Sequence, residues 1–64
     1  MDKYEVAVLA EDYARKRMYF ELLGQRNIAG LNPDERIESA VAYEVARAEM
    51  IQAKLKLEAA QVRT

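Results

Sequence analysis

Apolar residues recur along this chain with the period of α-helices, in two segments separated by one short break. The pattern predicts a first helix over about residues 3–29, a turn at 30–32 and a second helix over about 33–62. Gly30 suits the position just after a helix, where a left-handed backbone is common. Gly24 is an alternative end for the first helix. We favour Gly30, because it leaves two helices of similar length.

The start of the second helix has several independent signals. Asn32 is a preferred N-cap residue, since its side-chain oxygen accepts hydrogen bonds from free N–H groups of the first turn. Pro33 follows at the first helical position, where a backbone N–H has no partner within the helix, so proline loses no helical hydrogen bond there. Asp34 and Glu35 place negative charge at the positive end of the helix dipole. These residues predict a tight helical hairpin.

Each predicted helix carries two apolar stripes on nearly opposite faces. The more apolar stripe is interrupted by Lys16 in the first helix and by Glu44 and Glu58 in the second. Folding the chain at the turn brings Lys16 opposite Glu44, so we expect these two stripes to face each other. The predicted hairpin core comprises Val6, Leu9, Tyr13, Phe20, Leu23, Ile37, Val41, Ala48, Ile51 and Leu55.

The other two stripes are then left facing outward. In the second helix, alanine occupies alternate positions of this stripe, which lets two helix backbones approach closely. An apolar strip ~45 Å long is unfavourable in water, so we expect a second copy to cover it and form a four-helix bundle. A larger oligomer or a different protein partner are the alternatives. The predicted interface comprises Tyr4, Ala7, Ala14, Met18, Tyr43, Ala46, Met50, Ala53, Leu57 and Ala60.

Composition limits the chemistry. The chain has 64 residues, a net charge of −1, no cysteine and no histidine. It contains no nucleophile–base pair and no glycine-rich phosphate loop, so we predict no catalytic, cofactor-binding or metal-binding residues. Four carboxylates are of the kind that bind metals in helical bundles, but those sites also use histidine. Because this chain has no histidine, we interpret the carboxylates as charges at the edges of the heptad stripes. They are Glu11, Glu44, Glu49 and Glu58.

Basic residues in the first helix suggest an alternative function. Glu11 and Asp12 are spaced to pair with Arg15 and Lys16, so we interpret most of these charges as a solvated surface. Two arginines flanking an aromatic residue still share one face of the predicted helix, and a dimer would double this basic row. The candidate nucleic-acid face comprises Arg15, Tyr19 and Arg26.

In length and plan, the predicted dimeric hairpin is similar to the Rop-like hairpin proteins, small dimeric bundles that bind RNA. The similarity is one of architecture alone, because no residue motif carries it. We expect a non-catalytic interaction protein: an oligomeric adaptor, assembly factor or regulator that acts through its helix surfaces. Its expected partners are further copies of itself and another protein. With neither a signal peptide nor a membrane-spanning segment, the expected location is cytoplasmic.

Overall fold

The computed structural model describes residues 3–63 and shows two α-helices packed against each other as a hairpin. Helix α1 spans Lys3–Gly24 and helix α2 spans Pro33–Arg63. The hairpin is a rod with dimensions of 48 × 13 × 11 Å. The prediction of an all-α two-helix hairpin is confirmed.

Helix α2 begins at the predicted residue and with the predicted cap. The Asn32 side-chain oxygen Oδ1 accepts a hydrogen bond of 2.8 Å from the Glu35 N–H. The Asn32 carbonyl oxygen accepts the first helical bond, 3.0 Å long, from the Arg36 N–H. An N-cap bond of this kind stabilises a helix by about 1 kcal/mol and fixes where α2 starts.

Helix α1 ends at Gly24, so the predicted extension to residue 29 is wrong and the alternative end is correct. The Gln25 N–H is shared between the carbonyl oxygens of Glu21 and Leu22, at 3.1 and 3.2 Å. Bonds of this shared type tighten the last turn of a helix. Among the described residues no glycine has a positive φ, so the left-handed cap predicted at Gly30 is also wrong.

The connection over residues 25–32 replaces the shorter turn that the sequence predicts. The Asn27 side-chain oxygen Oδ1 accepts a 2.9 Å hydrogen bond from the Ala29 N–H, which turns the chain locally. The Arg36 guanidinium donates from Nε to the Leu31 carbonyl oxygen at 3.1 Å and from Nη2 to that of Ala29 at 3.4 Å. Since Arg36 belongs to the first turn of α2, these bonds tie the connection to the start of that helix.

The contact line between the helices, which we call the seam, is built on alanine. Ala46, Ala53 and Ala60 are only 3, 2 and 1% exposed and are the buried residues of the described chain. They alternate along α2 with larger side chains that are half-buried beside them, namely Tyr43, Met50 and Leu57. Small side chains at one heptad position allow the two helix axes to approach closely.

Helix α1 supplies the bulky side of the seam. Its half-buried residues include the apolar residues Val6, Leu9, Tyr13, Phe20 and Leu23, with the half-buried Lys16 between Tyr13 and Phe20. The Phe20 ring packs on the Tyr43 ring, with centroids 4.7 Å apart and planes inclined by 33°. A Cβ atom on Gly24 would lie 3.3 Å from Tyr43 Cε2, so this glycine leaves room for the tyrosine ring.

The predicted hairpin core is wrong for α2. The five residues assigned to it are all exposed, with Ile37 at 63% and Leu55 at 59%: Ile37, Val41, Ala48, Ile51 and Leu55. A pair of helices covers only a narrow strip of each partner, and bulky side chains on both strips hold the axes apart. The bulky stripe of α1 therefore fits the alanine stripe of α2 rather than its aliphatic stripe.

The predicted ion pair across the hairpin is not formed either. Lys16 Nζ lies 3.1 Å from Asp12 Oδ2 on its own helix. Glu44 Oε2 lies 3.9 Å from Arg47 Nη1, also on its own helix. With the other stripe of α2 in the seam, Glu44 is on the exposed side and does not face Lys16.

Ala53→Leu tests the alanine seam. The larger side chain has no space at a position that is 2% exposed, so we expect a loss of about 1–3 kcal/mol in the free energy of unfolding. Ala59→Leu is the matched control, because the same change there falls on an exposed position of α2. Urea unfolding followed by circular dichroism at one fixed protein concentration measures both. Equal unfolding midpoints for Ala53→Leu and the wild type would contradict the seam.

Candidate interaction surface

The side of α2 that faces away from the seam carries an exposed row of mostly apolar residues. We call this row the α2 outer face; its members follow one another at alternating steps of four and three. They are Ile37, Val41, Glu44, Ala48, Ile51 and Leu55, all exposed. The first half of the row, with Ala40 and Val45 beside it, lines a shallow apolar groove of about 490 Å³. One acidic side chain, that of Glu44, interrupts an otherwise apolar surface.

Helix α1 carries a second exposed row, the α1 outer face, with the same alternating steps. Its members are Tyr4, Val8, Glu11, Arg15, Met18 and Leu22, all exposed. Tyr4 is 77% exposed and Met18 is 63% exposed, although both side chains are largely apolar. Ala7 and Ala14, also predicted as interface residues, are exposed beside this row.

The structure thus divides the predicted interface between two places. Tyr4, Ala7, Ala14 and Met18 lie on the exposed side of α1. The predicted interface residues of α2 lie instead within the hairpin seam, where they are buried or half-buried: Tyr43, Ala46, Met50, Ala53, Leu57 and Ala60.

Each outer face lies on the side of its helix opposite to the seam, at ~100° of rotation per residue. The two faces therefore point in opposite directions from the hairpin. One partner docked on one side leaves the other face uncovered. The hairpin thus carries two separate exposed rows rather than a single continuous one.

The charges at the centre of the α1 outer face are unpaired in the hairpin. In the described chain, ion pairs join Lys16 to Asp12 and Arg17 to Glu21, the latter at 3.0 Å. No such pair joins Glu11 to Arg15, so the spacing-based prediction of that pair is wrong. Neither residue has another ion-pair partner within residues 3–63. Their carboxylate and guanidinium groups are free for an outside partner.

The candidate nucleic-acid residues do not share one helical face. Arg15 and Tyr19 are exposed on α1, whereas Arg26 follows the end of that helix and belongs to the connection. Arg26 lies instead at the closed end of the hairpin, beside a shallow cavity of about 250 Å³ that Arg36 and Tyr43 also line. The continuous basic row predicted from helical spacing is therefore interrupted.

The carboxylates considered for a metal do not converge. Within residues 3–63 the structure holds no cluster of three or more acidic side chains arranged to bind a metal ion. Glu11 and Glu44 lie on the two outer faces, on opposite sides of the hairpin. Among the same residues, neither helix has the length and apolar character needed to cross a membrane.

Comparisons of this chain with protein-family models, with curated proteins and with solved structures gave no match.

Sequence reasoning missed the α2 outer face, because its aliphatic residues were assigned to the hairpin core. The signal that identifies the correct stripe is steric: bulky residues of α1 require small residues opposite, and alternate alanines mark the stripe of α2 that provides them. Val8 was also missed, although it lies one turn after Tyr4 on the same face.

Two leucines of α2, only two positions apart, test which side faces α1. Leu57 is half-buried in the seam and Leu55 is 59% exposed. We expect Leu57→Ala to cost about 1–2 kcal/mol of unfolding free energy and Leu55→Ala to stay within about 0.5 kcal/mol. Both changes alter helix propensity equally. Thermal unfolding of the dilute protein, followed by circular dichroism, measures the difference. A larger loss of unfolding free energy from Leu55→Ala would show that the aliphatic stripe of α2, and not the alanine stripe, faces α1.

Proposed function

We propose that this protein is a non-catalytic interaction protein, an oligomeric adaptor, assembly factor or regulator that acts through its two outer helix faces. The observation that supports this proposal is the pair of exposed apolar rows on opposite sides of one thin hairpin. Contiguous apolar surface of this kind marks sites of protein association.

The weakness of the hairpin core supports the same proposal. Only three alanines of the described chain are buried, and alanine contributes little apolar surface to a core. The chain has no cysteine, so no disulfide compensates for the small core. Covering an outer face with another helix removes more apolar area from water and thereby stabilises the hairpin.

The partner that fits each face is an amphipathic helix. A row with steps of four and three accepts a helix that carries the same spacing, by heptad packing. Another hairpin of this protein supplies such a helix, and two hairpins joined through one face place four helices side by side. Because the faces point in opposite directions, a homodimer joined through one face leaves the other available for a different protein.

Sedimentation equilibrium over a wide concentration range tests self-association. We expect the weight-average mass to rise from that of the 7.3 kDa chain to twice that value or more. Met18→Lys, which places a charge in the α1 outer face, and Leu55→Lys, which does so in the α2 outer face, show which face contributes. A mass that stays at 7.3 kDa up to millimolar concentration would contradict self-association and leave both faces for other proteins.

Nucleic-acid binding around Arg15, Tyr19 and Arg26 is the alternative function. The net charge of −1 and the break in the basic row disfavour it. In a gel-shift series at rising salt we expect no complex with RNA or DNA duplexes, even at low ionic strength. A salt-sensitive complex that is lost in Arg15→Ala and Arg26→Ala, but kept in Arg63→Ala, would support the alternative instead.

A further inference from the structure

The α1 outer face has the same pattern when read from either end. From Tyr4 to Leu22 it runs as two apolar residues, two charged residues and two apolar residues, at steps of four, three, four, three and four. A second copy of α1, laid antiparallel about the midpoint of the row, therefore matches it position by position. Tyr4 then faces Leu22 of the second copy, and Val8 faces its Met18.

The charged residues at the centre of the row also complement each other in this antiparallel arrangement. Glu11 of each copy faces Arg15 of the other, so both pairs across the two-fold axis are oppositely charged. In the hairpin alone these two exposed residues have no ion-pair partner within residues 3–63. A carboxylate that faces a guanidinium forms one of the stronger charge-assisted hydrogen-bond pairs in proteins.

We infer that the α1 outer face is a two-fold self-association site, closed by two reciprocal Glu11–Arg15 pairs between copies. This inference rests on the proposed function, and it specifies which face binds a second copy and by which residues. Ala14 lies beside the midpoint of the row and is exposed, so its small side chain permits close approach where the two copies of α1 cross.

Other pairings of the outer faces leave charge uncompensated. When two α2 outer faces meet antiparallel about the midpoint of the row, Glu44 of each copy faces Ala48 of the other. When they meet parallel and in register, Glu44 of one copy faces Glu44 of the other. An α1 outer face laid antiparallel on an α2 outer face places Arg15 opposite Glu44 but leaves Glu11 opposite Ala48. A parallel contact of the same two faces places Glu11 opposite Glu44. A carboxylate set against apolar residues costs free energy that an ion pair recovers. Of these contacts, only the antiparallel α1–α1 contact pairs every charge in its row with an opposite charge.

A two-fold contact of this kind assigns different roles to the two outer faces. The α1 faces close on each other, as in the common isologous dimers. The α2 outer faces then lie on the two far sides of the dimer, uncovered and related by the same axis. The dimer would present two equal docking rows, each with one carboxylate, Glu44, for a helix that carries a basic residue.

Charge exchange at the centre of the row tests the inference by sedimentation equilibrium. Glu11→Arg and Arg15→Glu each create two like-charged pairs across the axis, so we expect the dimer dissociation constant to rise about tenfold or more in each. The double variant Glu11→Arg/Arg15→Glu restores opposite charges and should recover wild-type association. An equimolar mixture of the two single variants should form a one-to-one heterodimer.

Two controls distinguish this contact from a general effect of net charge. Lys54→Glu changes the net charge by as much as Arg15→Glu, at an exposed position of α2, and should leave the dimer unchanged. The double variant keeps the net charge of the wild type, so its recovery reports pairing rather than net charge. Circular dichroism verifies that each variant keeps its helix content, as expected for exposed positions.

Three results would overturn the inference. A double variant that associates as weakly as Arg15→Glu would show that Arg15 faces a different residue, as in an α1–α2 contact. Single variants that associate like the wild type would place self-association on the α2 outer face. Both results leave the proposed function intact, whereas a wild-type chain that stays monomeric up to millimolar concentration would overturn this site and proposed self-association together.

Discussion

The structure depends on the close approach of its two helices along Ala46, Ala53 and Ala60. These three side chains are nearly inaccessible to water, and they recur at one heptad position of α2. Because these side chains are small, helix α1 can pack closely against α2. The Phe20 ring packs on the Tyr43 ring. Which residues of α2 are exposed follows from which stripe this contact uses.

Close approach through alanine has a thermodynamic consequence. Alanine side chains remove less apolar surface from water than large aliphatic side chains do, so we expect the three buried alanines to contribute little to the stability of the hairpin. The larger aliphatic residues of α2 are instead exposed on its far side, with Ile37 and Leu55 more than half accessible. The arrangement that makes the hairpin thin is thus the same arrangement that exposes the aliphatic residues of α2.

The sequence predicted the local features well, because each depends on neighbouring residues. The Asn32 cap and the start of α2 at Pro33 follow from side-chain and backbone chemistry within one turn. The end of α1 was harder to predict, because it depends on Asn27 and on Arg36, which bonds to the connection from α2. Choosing the seam of α2 required comparing side-chain sizes across the hairpin. A choice by apolar content and by the expected pairing of Lys16 with Glu44 selected the wrong stripe.

The seam seen in the structure also changes which partners the charged residues of α1 have. Lys16 is paired to Asp12 and Arg17 to Glu21, so two ion pairs form within this helix. Glu11 and Arg15 are left unpaired, although their spacing permits an ion pair along the helix. Both lie at the centre of an exposed apolar row, where burial without a partner would be costly. A two-fold axis through the midpoint of this row makes each residue the partner of the other, so one symmetric contact accounts for the apolar ends and the charged centre together.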